Sequence, residues 1–287
     1  MDRTEVHGPS EALVDVARLA LREDLGRGDA TSLATVPEDA RARGRFVAKE
    51  SLVVSGLEAA RAVFFAADEG LRFEAFVEEG DRVEAGSIMA EVEGSARSML
   101  AAERVALNLL MRLSGVATLT REYVEAISGT NARITDTRKT TPGLRVLEKA
   151  AARAGGGVNH RFGLDDGILI KDNHLAVAGG VSEAVRRARK NSPRLLKIEV
   201  EVESVEELEE ALEAKADAVL LDNMRPEEVR VCVEKVRERA PDVLIEISGG
   251  VKLETARSYA EAGPDLISVG ALTHSAPAAD VSLEMEP

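Results

Sequence analysis

Two kinds of residue invite chemistry in this sequence: cations crowded beside glycines, and carboxylates alternating along short apolar runs. From Arg138 to Lys171 the chain reads RKTTPGLRVLEKAAARAGGGVNHRFGLDDGILIK, in which basic residues outnumber acidic ones. Arg145, Lys149 and Arg153 stand at i, i+4 and i+8, the pattern of a solvated helix face. Arg138, Lys139, His160, Arg161 and Lys171 do not share it. They flank glycines and strand ends, where a guanidinium fork or an ammonium can meet an anionic ligand.

The carboxylates follow a period of two. In Lys197-Ile198-Glu199-Val200-Glu201-Val202 the apolar residues must take the buried face of a strand, so Lys197, Glu199 and Glu201 turn the other way. The same parity places Glu246 and Ser248 opposite Ile245 and Ile247, and pairs Asp136 with Arg138 and Leu169 with Lys171. A shared interior carrying Arg138, Lys171, Glu199, Glu201, Asp222 and Glu246 is too polar for hydrocarbon packing, because an unpaired buried charge is costly. A ligand, a metal or a mutual network must satisfy these groups. Two further runs, Ser248-Gly249-Gly250 and Val269-Gly270-Ala271, end strand-like segments in glycine. Main-chain N–H groups at such turns can cradle a phosphate.

The elements that must position these residues come in two styles. Up to about residue 104 the chain reads as a small α+β domain. Ser10 can cap a helix whose apolar positions are Leu13, Val16, Ala17, Ala20 and Leu21, with Gly26 and Gly28 ending it. Alternating segments follow at Arg45–Lys49, Leu52–Ser55, Leu71–Val77 and Arg82–Val92. A long helical stretch follows at Met99–Leu113. Beyond it strands are expected at Arg133–Thr137, Gly167–Ile170, Leu196–Glu201, Ala218–Leu221, Val243–Ile247 and Leu266–Val269. Helices are expected between them at Leu144–Ala154, Ser182–Lys190, Val205–Ala214, Pro226–Arg239 and Leu253–Ala262. A half-exposed antiparallel sheet would show the same polar alternation. The intervening helices favour parallel strands, closed into an α/β barrel whose site lies at the C-terminal strand ends.

Bulk properties exclude other classes. A net charge of −14 and an aromatic content of 3% argue against a nucleic acid or an anionic membrane as the main partner. No apolar run is long enough to span a bilayer. Met1–Ser10 lacks a basic region followed by an apolar stretch, so no secretory signal is expected, and the lone Cys232 fits a reducing cytoplasm. One segment, VEEGDRVEAGSIMAEVEG (77–94), looks like the hairpin of biotinyl and lipoyl carrier domains. The residues after it, Ser95, Ala96, Arg97 and Ser98, include no lysine for attachment.

The ordered set of motifs resembles a known family. EDLGRGDATS (23–32), ERVALNLL (103–110), LSGVAT (113–118), DTRKTTPGLR (136–145), GGGVNHRFGLDDGILIKDNH (155–174), EVEV (199–202), LLDN (220–223), SGG (248–250) and SVGALTHS (268–275) are similar to those of quinolinate phosphoribosyltransferases, the carboxylating nicotinate-nucleotide pyrophosphorylases. The resemblance implies an N-terminal open-sandwich domain over residues 1–104, with the segment 276–287 packing on it. It implies an irregular parallel α/β barrel, short of eight strands, over 105–275. The implied reaction joins quinolinate to the ribose 5-phosphate of phosphoribosyl pyrophosphate, releasing pyrophosphate and CO2 and making nicotinate mononucleotide for NAD biosynthesis.

The same resemblance assigns roles. Arg138, His160 and Arg161 would hold the dicarboxylate, with Arg104 reaching in from the partner of a homodimer or larger oligomer. The 5-phosphate would lie on the amides around Ser248, Gly249, Gly250, Gly270 and Ala271. Lys139, Lys171 and His274 would meet the pyrophosphate, and Glu201 and Asp222 the ribose and Mg²⁺. Apart from the resemblance, the strand alternation puts Glu199 and Glu246 on the same inward rows, where they are expected as supporting partners. A phosphoribosyltransferase for another acidic ring, such as nicotinate, is the neighbouring alternative.

Overall fold

A computed structural model of the chain describes residues 9–286. Residues 1–8, most of the stretch read above for a leader, lie outside the described residues, as does residue 287. The first elements in chain order are α1 (Glu11–Leu25), α2 (Ala30–Thr35), β1 (Arg41–Ala48), β2 (Leu52–Val53), α3 (Leu57–Ala67), β3 (Arg72–Ala75), β4 (Arg82–Val83), β5 (Ile88–Ser95) and α4 (Ala96–Ala126). Then come β6 (Arg133–Thr135), α5 (Arg145–Ala154), β7 (Ile168–Ile170), α6 (Asp172–Ala178), α7 (Val181–Asn191), β8 (Ile198–Val202), α8 (Val205–Glu213) and β9 (Ala218–Asp222). The last are α9 (Pro226–Arg239), β10 (Leu244–Ser248), α10 (Leu253–Glu261), β11 (Leu266–Ser268), α11 (Ala271–His274) and β12 (Val281–Glu286).

Packing divides the chain into two compact units. One holds residues up to Leu119, Thr141–Gly156 and the segment from Ala276 onward; the other holds Thr120–Thr140 and Gly157–Ser275. The division therefore does not fall at 104/105, where the sequence reading put it. The reason is α4, one unbroken helix whose Met99, Val105, Leu107, Leu110 and Leu113 all enter a single apolar core.

The first unit is built on an antiparallel sheet ordered β12-β1-β5-β3. β12 pairs with β1 from Arg43↔Glu286 to Ala48↔Val281. Phe46, Phe64 and Phe73 cluster behind the sheet with ring centroids 5.9–6.1 Å apart. Phe46 and Phe64 are fully buried, and burial of such a ring contributes about 1.5–3 kcal/mol. Ser10 stands at the N-cap of α1 without a side-chain capping bond; Asp29 is the effective cap nearby, accepting from Thr31 N at 3.0 Å and Ser32 N at 3.1 Å. The segment read as Arg82–Val92 is two strands, β4 and β5, and α3 has no counterpart in the sequence reading. The carrier-like hairpin turns at the exposed Glu84, Ala85 and Gly86, none of them a lysine, and the residues after it are built into the fold. Ser95 closes β5, Ala96 opens α4, and Ser98 Oγ donates to Asp68 Oδ2 at 2.7 Å.

The second unit carries six parallel strands ordered β6-β11-β10-β9-β8-β7. First and last strands of the series, β6 and β11, are neighbours, which an open doubly wound sheet does not produce. The order is that of a barrel cut at one seam, between β6 and β7. Val158 adds one parallel bridge to Thr135 at that edge. The helix between β6 and β7, α5, belongs to the first unit. Ile198, Val200, Val219, Leu221, Ile245 and Ile247 are buried. They take one face of their strands and leave Glu199, Glu201 and Glu246 on the interior face, as the alternation predicts.

Candidate active site

A cavity of about 750 Å³ opens at the carboxyl ends of these strands. The segment after β6 supplies Thr137, Arg138 and Lys139, and the loop before β7 supplies His160 and Arg161. Lys171 follows β7, Glu201 lies on β8, and Asp222 and Asn223 end β9. Glu246, Ser248, Gly249 and Gly250 come from β10 and its turn, and Ser268, Gly270, Ala271 and His274 from β11 onward. Every site residue expected from the sequence lines this one cavity except Arg104. Arg104 is exposed on α4 in the other unit.

One flank is made of cationic side chains. Arg161 donates from Nη1 to the Gly167 carbonyl at 2.7 Å, while its Nε is buried without a hydrogen-bond partner. Burial, and then the charge of the adjacent Arg138, lowers the Arg161 pKa, with Glu199 opposing. A guanidinium stays protonated under such pressure, so the two arginines repel each other and favour a dianionic ligand. Asp136, fully buried below them, accepts from Asn159 Nδ2 at 2.6 Å and from His160 N at 2.9 Å.

The opposite flank is made of main chain. Gly249 has φ +94, and a Cβ there would stand 2.2 Å from Asn223 Oδ1. Only glycine fits this turn. Asn223, itself at φ 56, donates its N–H to the Ser248 carbonyl at 3.0 Å and its side-chain amide to Asp222. It thereby ties the carboxylate at the end of β9 to the glycine turn after β10. At Gly270 a Cβ would meet Lys139 Cδ at 3.1 Å and His274 Nε2 at 3.2 Å, so its absence lets these two side chains close on the α11 start.

Between the flanks, Lys171 and Glu201 form an ion pair. Glu201 is 8% exposed. Glu201 and Asp222 offer hard carboxylate oxygens beside the phosphate-type cradle. Magnesium favours that donor set, taking one or two carboxylates and completing its shell with substrate oxygens and water. Below them His160 Nε2 lies 3.3 Å from Glu199 Oε2 and 3.4 Å from Glu246 Oε1. Burial lowers the His160 pKa, but the hydrogen bond to Glu199 and the charges of Glu246 and Glu199 outweigh it, and the net shift is upward. Burial and the charge of Glu199 push the Glu246 carboxyl up to about 7, against the charge of His160 and the hydrogen bond from Ser268.

Sequence reasoning missed Thr137, Asn223, Lys252 and Ser268, all of which line the cavity. Asn223 had a signal, its place directly after the LLD run at a strand end. Ser268 had one too, as the first residue of the SVGALTHS run, whereas Lys252 had none, since a helix-start lysine is ordinary.

Comparison with known proteins places these features in one family. The chain matches the quinolinate phosphoribosyl transferase N-terminal domain over residues 29–114 and the C-terminal domain over residues 116–284. It is 46% identical over 279 residues to the nicotinate-nucleotide pyrophosphorylase (carboxylating) of Mycobacterium leprae, covering 96% of this chain and 98% of that one. The solved nicotinate-nucleotide pyrophosphorylase of Francisella tularensis superposes with a TM-score of 0.91 at 37% identity, over 96% of both chains. NadC of Streptococcus pyogenes gives the same TM-score at 39% identity, over 100% of this chain and 99% of that one. With both domain models matched in order and such identity across nearly its full length, this chain belongs to the quinolinate phosphoribosyltransferase family.

Proposed function

We infer that the chain is a decarboxylating pentosyltransferase that moves the phosphoribosyl group from phosphoribosyl pyrophosphate to quinolinate. The products are nicotinate mononucleotide, pyrophosphate and CO2, the first feeding NAD biosynthesis. The observation that carries this reading is the two-sided cavity. A pair of mutually repelling arginines faces a glycine-lined amide cradle, so a dicarboxylate and a phosphate ester are accommodated together.

Arg138 and Arg161 hold the two adjacent carboxylates, with His160 beside them. The amides of Ser248, Gly249, Gly250, Gly270 and Ala271 take the 5-phosphate. Lys139, Lys171 and His274 take the pyrophosphate, and Glu201 and Asp222 face the ribose. Glu201 and Asp222 would hold the Mg²⁺ that accompanies phosphoribosyl pyrophosphate, which would supply neutralising charge to the pyrophosphate leaving group. As the C1–O bond breaks, positive charge grows at the anomeric carbon, and the two carboxylates stabilise it. The quinolinate ring nitrogen forms the new bond to C1. Its cationic charge then stabilises the electron pair left at C2 when the 2-carboxylate departs as CO2, and one proton from Lys139, Lys171 or water quenches that carbon.

Arg104, exposed on α4, is suited to completing the site of a partner copy in a homodimer. Among the described residues no helix is long and apolar enough to cross a membrane, and the lone buried Cys232 supports a cytoplasmic setting. Incubating the protein with Mg²⁺, phosphoribosyl pyrophosphate and quinolinate labelled in the 2-carboxylate tests the reaction. Labelled CO2 and pyrophosphate in equal amounts are expected. Turnover of nicotinate without CO2, and none of quinolinate, would overturn it in favour of the nicotinate alternative. A covalent biotinyl or lipoyl adduct in the intact mass would revive the carrier reading.

A further inference from the structure

The transfer chemistry leaves one buried cluster unexplained: His160, Glu199 and Glu246 bring ligand-type atoms within 4.8 Å of one another. Its surroundings are unsuited to a cation, because the Arg161 charge bears on His160 and Arg138 adds its own beside Arg161. The bonds of the imidazole itself point elsewhere. Its Nδ1 accepts the main-chain N–H of Arg161 at 2.7 Å. Its Nε2 faces Glu199 and Glu246. Glu199 does not line the substrate cavity. It lines a smaller one, of about 300 Å³, with the strand-start residues Ala218, Leu244 and Leu266. His160, Arg161 and Glu246 line both cavities and so form part of the partition between them. One ring nitrogen is therefore committed to main chain, and the other is turned toward the far side of that partition.

Building on the quinolinate reading, we propose that His160 is a positioning residue. As a neutral imidazole it fastens the Arg161 main chain to a Glu199–Glu246 floor and aims the Arg161 guanidinium at a substrate carboxylate, rather than donating to that carboxylate itself. The fastening is two-ended. Asp136 fixes the chain just before, through His160 N at 2.9 Å, and the Gly167 carbonyl fixes the guanidinium at Nη1. A proton on Nδ1 would set donor against donor at the Arg161 amide. The charges bearing on the ring are Glu199 on β8, Glu246 on β10 and Arg161, while Asp136 beside β6 bears on Glu246 and Arg138 on Arg161. Two ionised carboxylates would draw a second proton onto the ring. The Arg161 N–H opposes that pull, because it already occupies Nδ1 at 2.7 Å.

The test uses the full-length enzyme labelled with ¹⁵N-histidine. The sequence has four histidines, and the His160 signals are assigned by their loss in His160→Asn. At pH 7 a single ring proton on Nε2 is expected, with Nδ1 bare, before and after quinolinate is added. A proton on Nδ1 in either state would overturn the proposal. Kinetics give a second readout. Asparagine keeps an acceptor where Nδ1 stood, whereas leucine keeps only bulk. His160→Leu should therefore raise the quinolinate KM about tenfold more than His160→Asn, a difference of roughly 1.4 kcal/mol. Glu199→Gln should raise the same KM with little change in the KM for phosphoribosyl pyrophosphate. Equal losses in the asparagine and leucine variants, beside normal wild-type turnover, would sink the inference and leave the quinolinate reading standing. Absence of CO2 release by the wild type would instead sink that reading.

Discussion

The two flanks of the cavity offer an anion different materials. The cationic flank works through side chains: Arg138 and Arg161 must be aimed, and Arg161 is held by the Gly167 carbonyl and the His160 ring. The glycine flank works through main chain at Gly249, Gly250 and Gly270, shaped by φ angles and by missing Cβ atoms. A side-chain clamp can fit the spacing of two carboxylates on a flat ring. A main-chain cradle suits a phosphate on a flexible ribose, whose oxygens accept N–H groups from many directions. Recognition of the ring should therefore fail when an arginine is removed, and recognition of the sugar phosphate when a methyl group is added.

The sharpest break in this comparison is on the cationic flank. Truncating one partner of a buried charge-assisted contact costs about 2–5 kcal/mol, so Arg138→Ala and Arg161→Ala should each lower kcat/KM for quinolinate at least roughly 30-fold. The fold and the KM for phosphoribosyl pyrophosphate should change little; normal turnover of quinolinate by both variants would refute the clamp. On the other flank, Gly249→Ala forces a strained φ and a clash with Asn223. Strain of about 1–3 kcal/mol should raise the KM for phosphoribosyl pyrophosphate roughly 5- to 150-fold, with quinolinate binding spared. If both substrates suffer alike, the flanks are not independent. Between them, Asp222→Asn removes one hard anionic ligand. The Mg²⁺ concentration for half-maximal rate should rise about tenfold, and an unchanged response would release Asp222 from the metal.

The last effect is on stability rather than on binding. Glu246 has a folded pKa raised from 4.5 to about 7. The folded state therefore binds the extra proton between those values, and stability falls as pH rises through that window. Urea unfolding should show the wild type losing on the order of 2 kcal/mol relative to Glu246→Gln between about pH 4.5 and pH 7.5. A constant difference across that range would mean the carboxyl is not desolvated as its burial indicates.

Much of the second unit was legible because its signals are local. Pro226–Arg239 is a helix at the residues expected, since a proline at its first position and glutamates in its first turn mark the start. The alternation in IEVEV told inward from outward residues on β8 without any knowledge of its neighbours. The first unit was less legible. α3, LEAARAVFFAA, is apolar nearly all round and lacks a side-chain cap, so its period is faint. The end of α4 was missed for a related reason: β-branched and polar residues after Leu113 weaken helical propensity, and burial of Val116, Ala117 and Tyr123 sustains the helix instead.

What the sequence determined by itself was the inventory of the site and the parity of its strands. Arg138, Lys171, Glu201 and Asp222 were placed at strand ends, and Gly249 and Gly270 at turns, because periodicity and turn chemistry act over a few residues. The tertiary structure alone decided the pairings: Lys171 with Glu201, Asn223 beneath Gly249, and His160 between the Arg161 amide and two carboxylates. Those contacts join residues from different strands, and the energy of a charge or a hydrogen bond depends on distance and burial, which no local pattern encodes.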